Sequence, residues 1–257
     1  MMCQILGIAR SSYYQSQHKT ESKLSRENKE LTEKIIHIHQ DSGKRYGAPK
    51  IHQILLDQGL SVSIKRVQRL MKKENICSII LKKYKPHSSR STVEEQPNLL
   101  EQDFSTTTIN EKWVADITYI YTQKDGWCYL ASVMDLYSKK IIGYSFSRNM
   151  TPNLVVKALE NAYHTQKPSE GLILHTDLGT QYTSQEFQTI LANYKIKPSF
   201  SKKGCPYDNA YIESFHANLK KEEVYRTKYV TFKQANLALV QYIEGWYNRK
   251  RIHSSIG

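Results

Sequence analysis

Two passages decide how this chain is read: His175-Thr176-Asp177-Leu178-Gly179-Thr180-Gln181-Tyr182 and Tyr207-Asp208-Asn209-Ala210-Tyr211-Ile212-Glu213-Ser214-Phe215. Leu172, Ile173 and Leu174 run straight into Asp177 and are stopped by a glycine-containing turn. That is the pattern of a buried strand with a carboxylate at its C-terminal edge. In the second passage Tyr211, Phe215 and Leu219 recur at helical spacing. Asn209, Glu213, His216 and Lys220 follow one another at i, i+4, i+7 and i+11, which predicts a single polar stripe along that helix. A carboxylate at a strand end and another on a facing helix offer hard oxygen ligands to a small cation.

Working outward, Trp113-Val114-Ala115-Asp116-Ile117-Thr118-Tyr119-Ile120-Tyr121 is rich in β-branched and aromatic residues and predicts a strand with an acid in its middle. An Asp in an apolar strand is costly unless paired, hydrogen-bonded or metal-bound. Thirty-five residues lie between Asp177 and Glu213. The joint pattern resembles the Asp-Asp-Glu transposases and retroviral-type integrases, above all the second-frame (OrfB) transposases of bacterial insertion sequences. The matching pieces are Trp113-x-x-Asp116-Ile-Thr-Tyr, His175-Thr-Asp177-x-Gly179-x-Gln181-Tyr182, Asp208-Asn209-Ala210-x-x-Glu213-Ser214-Phe215 and Tyr247-Asn248-x-x-Arg251-x-His253. The gap of thirty-five and the basic Lys220, seven residues past the Glu, belong to the same pattern, and the resemblance covers nearly the whole chain.

The net charge of +13 points to a polyanionic partner. Residues 1–100 carry a surplus of nine positive charges and the rest of the chain four, so the basic half is not the half holding the three acids. The four cysteines (Cys3, Cys77, Cys128 and Cys205) form no C-x-x-C pair, which argues against a zinc site or a disulfide framework. The zinc-binding N-terminal domain of retroviral integrases finds no support either, because His37 and His39 have no paired Cys at ligand spacing. No stretch reaches the ~20 apolar residues of a membrane-spanning helix, and a cytoplasmic, thiol-reduced protein is expected.

Leu6-Gly7-Ile8-Ala9-Arg10-Ser11-Ser12-Tyr13-Tyr14 reads either as the end of a helix-turn-helix or as a frayed terminal helix. From Leu24 a helix runs to Ser42-Gly43, Pro49 starts a second, and Ser61 or Ser63 caps a third. The third buries Ile64, Val67, Leu70 and Met71 and turns out Lys65, Arg66, Arg69 and Lys72. The expectation is a helix-turn-helix-like DNA-binding region over 1–81 with that basic face on DNA; the alternative is a small bundle with a solvated face. Residues 82–109 are expected to form a basic linker that follows DNA along Lys82–Arg90 and docks through Asn98–Phe104, and 110–257 the catalytic core. The expected fold class is α/β, an RNase H-like integrase core preceded by a small all-α domain. The RNase H-like identification comes from the resemblance; strand and helix patterns alone give a mixed α/β domain. A last helix spans about Phe232 to Tyr247 with Leu237, Val240 and Ile243 inward, and the resemblance makes the end at Gly257 look abbreviated.

The resemblance implies Asp116, Asp177 and Glu213 as catalytic, metal-binding residues, with Mg2+ as cofactor (Mn2+ able to substitute). Asp116 would bridge two ions and the other two acids would serve one each. Lys220, about 10.5 Å along the helix from Glu213, suits a phosphate contact, and Asn209 and Arg251 are further candidate DNA contacts. His175 and Gln181 either orient Asp177 or pack the turn, and Asp135 reads as structural. The implied activity is cleavage and strand transfer at insertion-sequence ends. The implied partners are element-end and target DNA, a first-frame protein or fused upstream segment, and further copies of this chain. A non-catalytic DNA-binding regulator or a hydrolytic nuclease of the same fold are the competing readings.

Overall fold

A computed structural model describes residues 7, 9, 11, 22–78, 97–202 and 206–252. The linker over Lys82–Gln96, most of Leu6–Tyr14, the loop residues Gly204 and Cys205, and His253 lie outside the described residues. The chain divides into two compact units, Met1–Ile79 and Ile80–Gly257.

Among the described residues the first unit holds three helices: α1 (Lys23–Asp41), α2 (Ala48–Asp57) and α3 (Ile64–Lys73). Ser22 caps α1 by accepting from the Ser25 N–H, and Ser63 caps α3 by accepting from the Arg66 N–H. Pro49 sits in the first turn of α2, where its missing N–H costs nothing. Ile35, Ile51, Leu55 and Val67 are fully buried and form the common core. Lys65, Arg69 and Lys72 stay exposed on α3. Arg66 does not join them: its Nε donates to Asn28 Oδ1 at 2.9 Å and its Nη2 lies 3.4 Å from Glu27 Oε2. The guanidinium is anchored to α1 and acts as a clamp within the bundle.

The second unit is built on a five-stranded sheet: β1 (Lys112–Thr122), β2 (Gly126–Asp135), β3 (Ile141–Ser147), β4 (Ile173–Thr176) and β5 (Lys197–Phe200). The spatial order is β3-β2-β1-β4-β5. The first three strands form an antiparallel meander, while β4 joins β1, and β5 joins β4, in parallel. Gly126, at φ 73°, closes the β1–β2 hairpin with a conformation that side-chain-bearing residues seldom adopt. A parallel neighbour requires a crossover, and α4 (Pro152–Gln166) supplies it between β3 and β4. Gly143 on β3 lets α4 approach closely: a Cβ there would lie 2.4 Å from the Ala158 carbonyl oxygen. Trp113, Ala115, Ala131, Val133, Leu154, Ala158, Leu159, Leu174, Phe187 and Leu191 fill the core on this side, with α5 (Gln185–Asn193) completing the layer.

The other side of the sheet receives α6 (Ala210–Glu222), which buries Ile212, Phe215 and Leu219. The chain then turns through α7 (Phe232–Val240) into a π-helical segment, Gln241–Tyr247. Here one expectation fails. Leu237 is exposed, and the inward face is Ala235, Leu239, Tyr242, Ile243 and Trp246. The small Ala235 and the large aromatic rings fix the helix in a phase that a three-residue leucine/valine/isoleucine repeat does not reveal.

Asn98–Phe104 lies on this unit. Asn98 Nδ2 and Gln102 Nε2 both donate to the buried Asp208 carboxylate, at 3.0 and 2.9 Å, and the Leu99 N–H donates to Ser199 Oγ. Asp135 is a fully satisfied structural acid, accepting from the N–H groups of Asn110 and Ser138 and from the Ser138 hydroxyl.

Candidate active site

The register of the parallel pair sets the site. Val114 on β1 lies beside His175 on β4, so continuing by two residues brings Asp116 and Asp177 level on neighbouring strands. Asp116 is partly buried in the middle of β1, opposite Ser132 of β2. Asp177 follows the last residue of β4, where its Oδ1 accepts from the Gly179 N–H at 3.0 Å. Glu213 stands exposed in the first turn of α6.

The Asn209–Lys220 stripe faces β1. Asn209, the residue before α6, is buried and donates from Nδ2 to the Ala115 carbonyl at 3.1 Å, which fastens the helix start beside Asp116. About two turns on, His216 is also buried, with Nδ1 3.3 Å from Asp116 Oδ2 and Nε2 3.4 Å from Ser132 Oγ. At the far end, Lys220 Nζ lies 3.9 Å from the centre of the Tyr119 ring. Asn209 is therefore held inside the protein, against β1.

The three carboxylates influence one another through Asp116. Burial, then the Asp116 charge, push the Asp177 carboxyl up to about 6 against the pull of the Gly179 N–H. Asp177 as a residue keeps an exposed surface, so solvent tempers the burial part, and the like charge of Asp116 is the part that bears on chemistry. Burial and Asp116 likewise raise Glu213, while His216 opposes them. Burial lowers the Lys220 pKa and Asp116 counteracts it. Among the described residues no group of three or more His, Cys, Asp or Glu stands close enough together to hold a metal ion. Asp177 and Glu213 thus each feel the Asp116 charge, but the three acids do not close into a cage.

Two features escaped the sequence reading. The Tyr182 hydroxyl is buried without a hydrogen-bond partner, and its pKa is raised by burial and by the charges of Asp116 and Asp177. Its position five residues after Asp177 was the available signal. The buried Asn209 Oδ1 is likewise unpartnered. His175, by contrast, is packed: Nδ1 meets Ser199 Oγ at 2.8 Å and Nε2 meets Ser201 Oγ at 3.0 Å, so it supports β4 and does not touch Asp177. Gln181 Nε2 reaches the Met150 carbonyl at 3.5 Å, a turn contact.

Arg251 has partners within the protein. Its guanidinium pairs with Glu222 at the end of α6, Nη2 to Oε1 at 3.1 Å and Nε to Oε1 at 3.2 Å. Tyr242 and Trp246 donate to the same carboxylate at 2.9 and 3.1 Å. With the pair nearly buried, Arg251 locks the C-terminal segment onto α6. Asn248, in the same motif, accepts from the Ile141 N–H at 2.9 Å and donates to the Ile141 carbonyl at 2.8 Å.

Comparison with known proteins agrees with this architecture. The family described as integrase core domain matches residues 107–206, a second integrase core domain matches 194–257, and an HTH-like domain matches 26–84. The transposase for insertion sequence element IS904 of Lactococcus lactis is 38% identical over 243 residues, covering 93% of this chain and 94% of that protein. Transposase InsF for insertion sequence IS3A of Escherichia coli is 36% identical over 259 residues, covering 100% and 90%. The HTLV-2 integrase catalytic core domain, solved in complex with magnesium, aligns at 23% identity over 57% of this chain and 91% of that one, with a TM-score of 0.42. With relatives of this identity matched nearly end to end, the chain belongs to the insertion-sequence transposase family, an HTH-like domain followed by an integrase core of RNase H-like fold.

Proposed function

We propose that this chain cuts a DNA strand at the ends of its insertion sequence and joins the freed end to a second phosphodiester, with Asp116, Asp177 and Glu213 as the catalytic acids. The observation that carries this reading is the coupling of Asp116 to both other acids, which come from β1, the end of β4 and α6. Three carboxylates are an all-oxygen donor set, the kind that suits Mg2+ or Mn2+. A charge at Asp177 that its surroundings disfavour is also the kind a divalent cation relieves. The donor chemistry therefore fits the metal. Bound there, the cations supply Lewis-acid polarisation of the phosphodiester and stabilise the leaving oxygen.

The protein's own groups do the positioning. His216 holds the Asp116 carboxylate from one side, and Asn209 fixes the start of α6 against β1. Lys220, at the end of the same stripe, is placed for a phosphate beside the scissile bond. In the first unit, exposed Lys65, Arg69 and Lys72 supply phosphate contacts on duplex DNA. The joining step exchanges one phosphodiester for another, so it needs no energy-rich cofactor and no covalent enzyme intermediate. The partners of this reading are element ends, target DNA, further copies of the chain on DNA and a first-frame protein or fused upstream segment. Its compartment is the cytoplasm. Among the described residues no helix is long and apolar enough to cross a membrane.

The test is Asp177→Asn on a DNA carrying the element end. Cleavage is lost to the limit of detection while DNA binding persists, and excess EDTA abolishes cleavage by the unaltered protein. Full cleavage by Asp177→Asn, or cleavage unaffected by EDTA, overturns the assignment.

A further inference from the structure

The sheet carries a second feature beside the candidate site that cleavage does not use. Tyr121 on β1 lies directly opposite Trp127 on β2, and Tyr119 lies opposite Tyr129. Alternation along the strands puts all four rings on one face. At the inner end of this face Ile117 and Tyr129 pack against the core. Beyond them the rings come out into solvent: Tyr121 and Trp127 are each 53% exposed and Tyr119 is 38% exposed. Trp127 meets both tyrosines edge-on, with ring centres 5.2 Å apart in each pair. Lys220 Nζ stands over the Tyr119 ring, so the end of the Asn209–Lys220 stripe reaches the aromatic row, although alternation turns Asp116 itself to the other face of the sheet.

Large aromatic rings are seldom left this exposed beside one another without a use. Their setting is basic. The hairpin tip carries exposed Lys124, and its Gln123 and Lys124 N–H groups donate to the Tyr229 and Val230 carbonyls, which brings the segment bearing exposed Lys228 alongside. A second copy of the chain would bring the same positive rim against itself, which opposes pairing through this face. Rings flanked by lysines favour a ligand with flat π-faces and a phosphate backbone. Duplex DNA hides its base faces, whereas an unpaired strand offers them. We propose that Tyr119, Trp127 and Tyr121 form a stacking platform for unpaired bases of DNA next to the scissile phosphate, with Lys220 bridging the platform and the acids. This rests on the reading of DNA as the substrate and adds that bases close to the cut are unpaired when bound.

Trp127 reports on its own site, because Trp113 is fully buried and Trp246 is only 8% exposed. The experiment titrates the full chain, in EDTA to prevent cleavage, with a single-stranded thymidine oligonucleotide and with a blunt duplex of equal length, following tryptophan emission. The single strand quenches the exposed component and the duplex does so much less. Trp127→Ala weakens single-strand binding about tenfold, in line with the loss of one base stack, and leaves duplex binding and the far-UV spectrum unchanged. Trp127→Phe, which keeps a ring, retains most of the affinity. Equal quenching by duplex, or unaltered single-strand binding by Trp127→Ala, overturns the platform while the DNA reading stands. Burial of Trp127 that rises with protein concentration without DNA also overturns it, in favour of a second copy. If neither DNA form binds, the reading of DNA as substrate fails with it.

Discussion

His216 Nδ1 lies 3.3 Å from the Asp116 carboxylate, while the other ring nitrogen faces Ser132 Oγ at 3.4 Å, so one buried ring ties α6 to two strands beside Asp116. Groups that orient a ligating side chain are typically worth a factor of about 10 to 100 in metal affinity or activity. His216→Ala is expected to lower strand cleavage by about that factor and to raise the Mg2+ concentration needed for half-maximal rate. Circular dichroism checks that the fold survives. An unchanged Mg2+ dependence would reduce His216 to a packing residue.

Arg251 and Glu222 form a nearly buried pair, with side-chain exposures of 9% and 14%. Removing one partner of such a pair costs about 3–5 kcal/mol, because the other charge is left without compensation. Arg251→Ala should therefore lower the melting temperature by roughly 10 °C. Arg251 and its neighbours lower the Glu222 pKa below its ordinary 4.5. A depressed folded-state value gives stability that is present above pH 4.5 and lost as pH falls through the folded value. Thermal melts between pH 3 and 6 on the unaltered protein and on Glu222→Gln measure this part.

His175 has the same sign of linkage for a different reason. Burial between two serine hydroxyls lowers its pKa from 6.5 to about 4. The unfolded chain then binds a proton that the folded chain refuses between those values. The His175 contribution to stability should fall as pH drops from 6.5 to about 4, by an amount on the order of 3 kcal/mol. Urea unfolding of His175→Asn as a function of pH should lack this component and keep those of Asp177 and Glu222.

Gly143→Ala places a methyl against the α4 backbone, 2.4 Å from the Ala158 oxygen and 2.6 Å from the Ala162 Cβ. Neither atom lies at the end of a flexible side chain, so the helix must lift. Overpacking of this kind costs about 1–3 kcal/mol or more, read as a lower urea midpoint with an unchanged slope.

In the first unit Arg69→Ala or Lys72→Ala should weaken duplex binding at all sequences and reduce the salt slope by about one each. Arg66→Ala should instead act on stability, since its guanidinium is held by Asn28 and Glu27. Binding isotherms between low and physiological salt separate the two effects.

The strands and the order of helices were legible because alternation and capping are local: Ser63 and Pro49 stand in the roles their chemistry predicts. Position in the site was legible for Asp116, Asp177 and Glu213 only as spacing, and the fold now sets them on three elements around Asp116. What could not be read was the direction in which a charged side chain turns. Arg251 finds its partner 29 residues away in Glu222, and Arg66 finds Asn28 at a separation of 38. Asn209 is drawn inward by a carbonyl 94 residues earlier. A basic or polar residue in a recognised motif is a DNA contact only if no such distant acceptor claims it first, and nothing local in the sequence records that competition.

The two Asn248 hydrogen bonds to Ile141 have a consequence for assembly. β3 is one border of the sheet, and a border strand ordinarily offers its amides and carbonyls to any extended neighbour. Asn248 occupies both groups of Ile141, and on the opposite border the Pro97 carbonyl accepts from the Phe200 N–H. The chain's own segments thus cap each margin at one residue, and an extended neighbour could add only along what remains of β3 or β5.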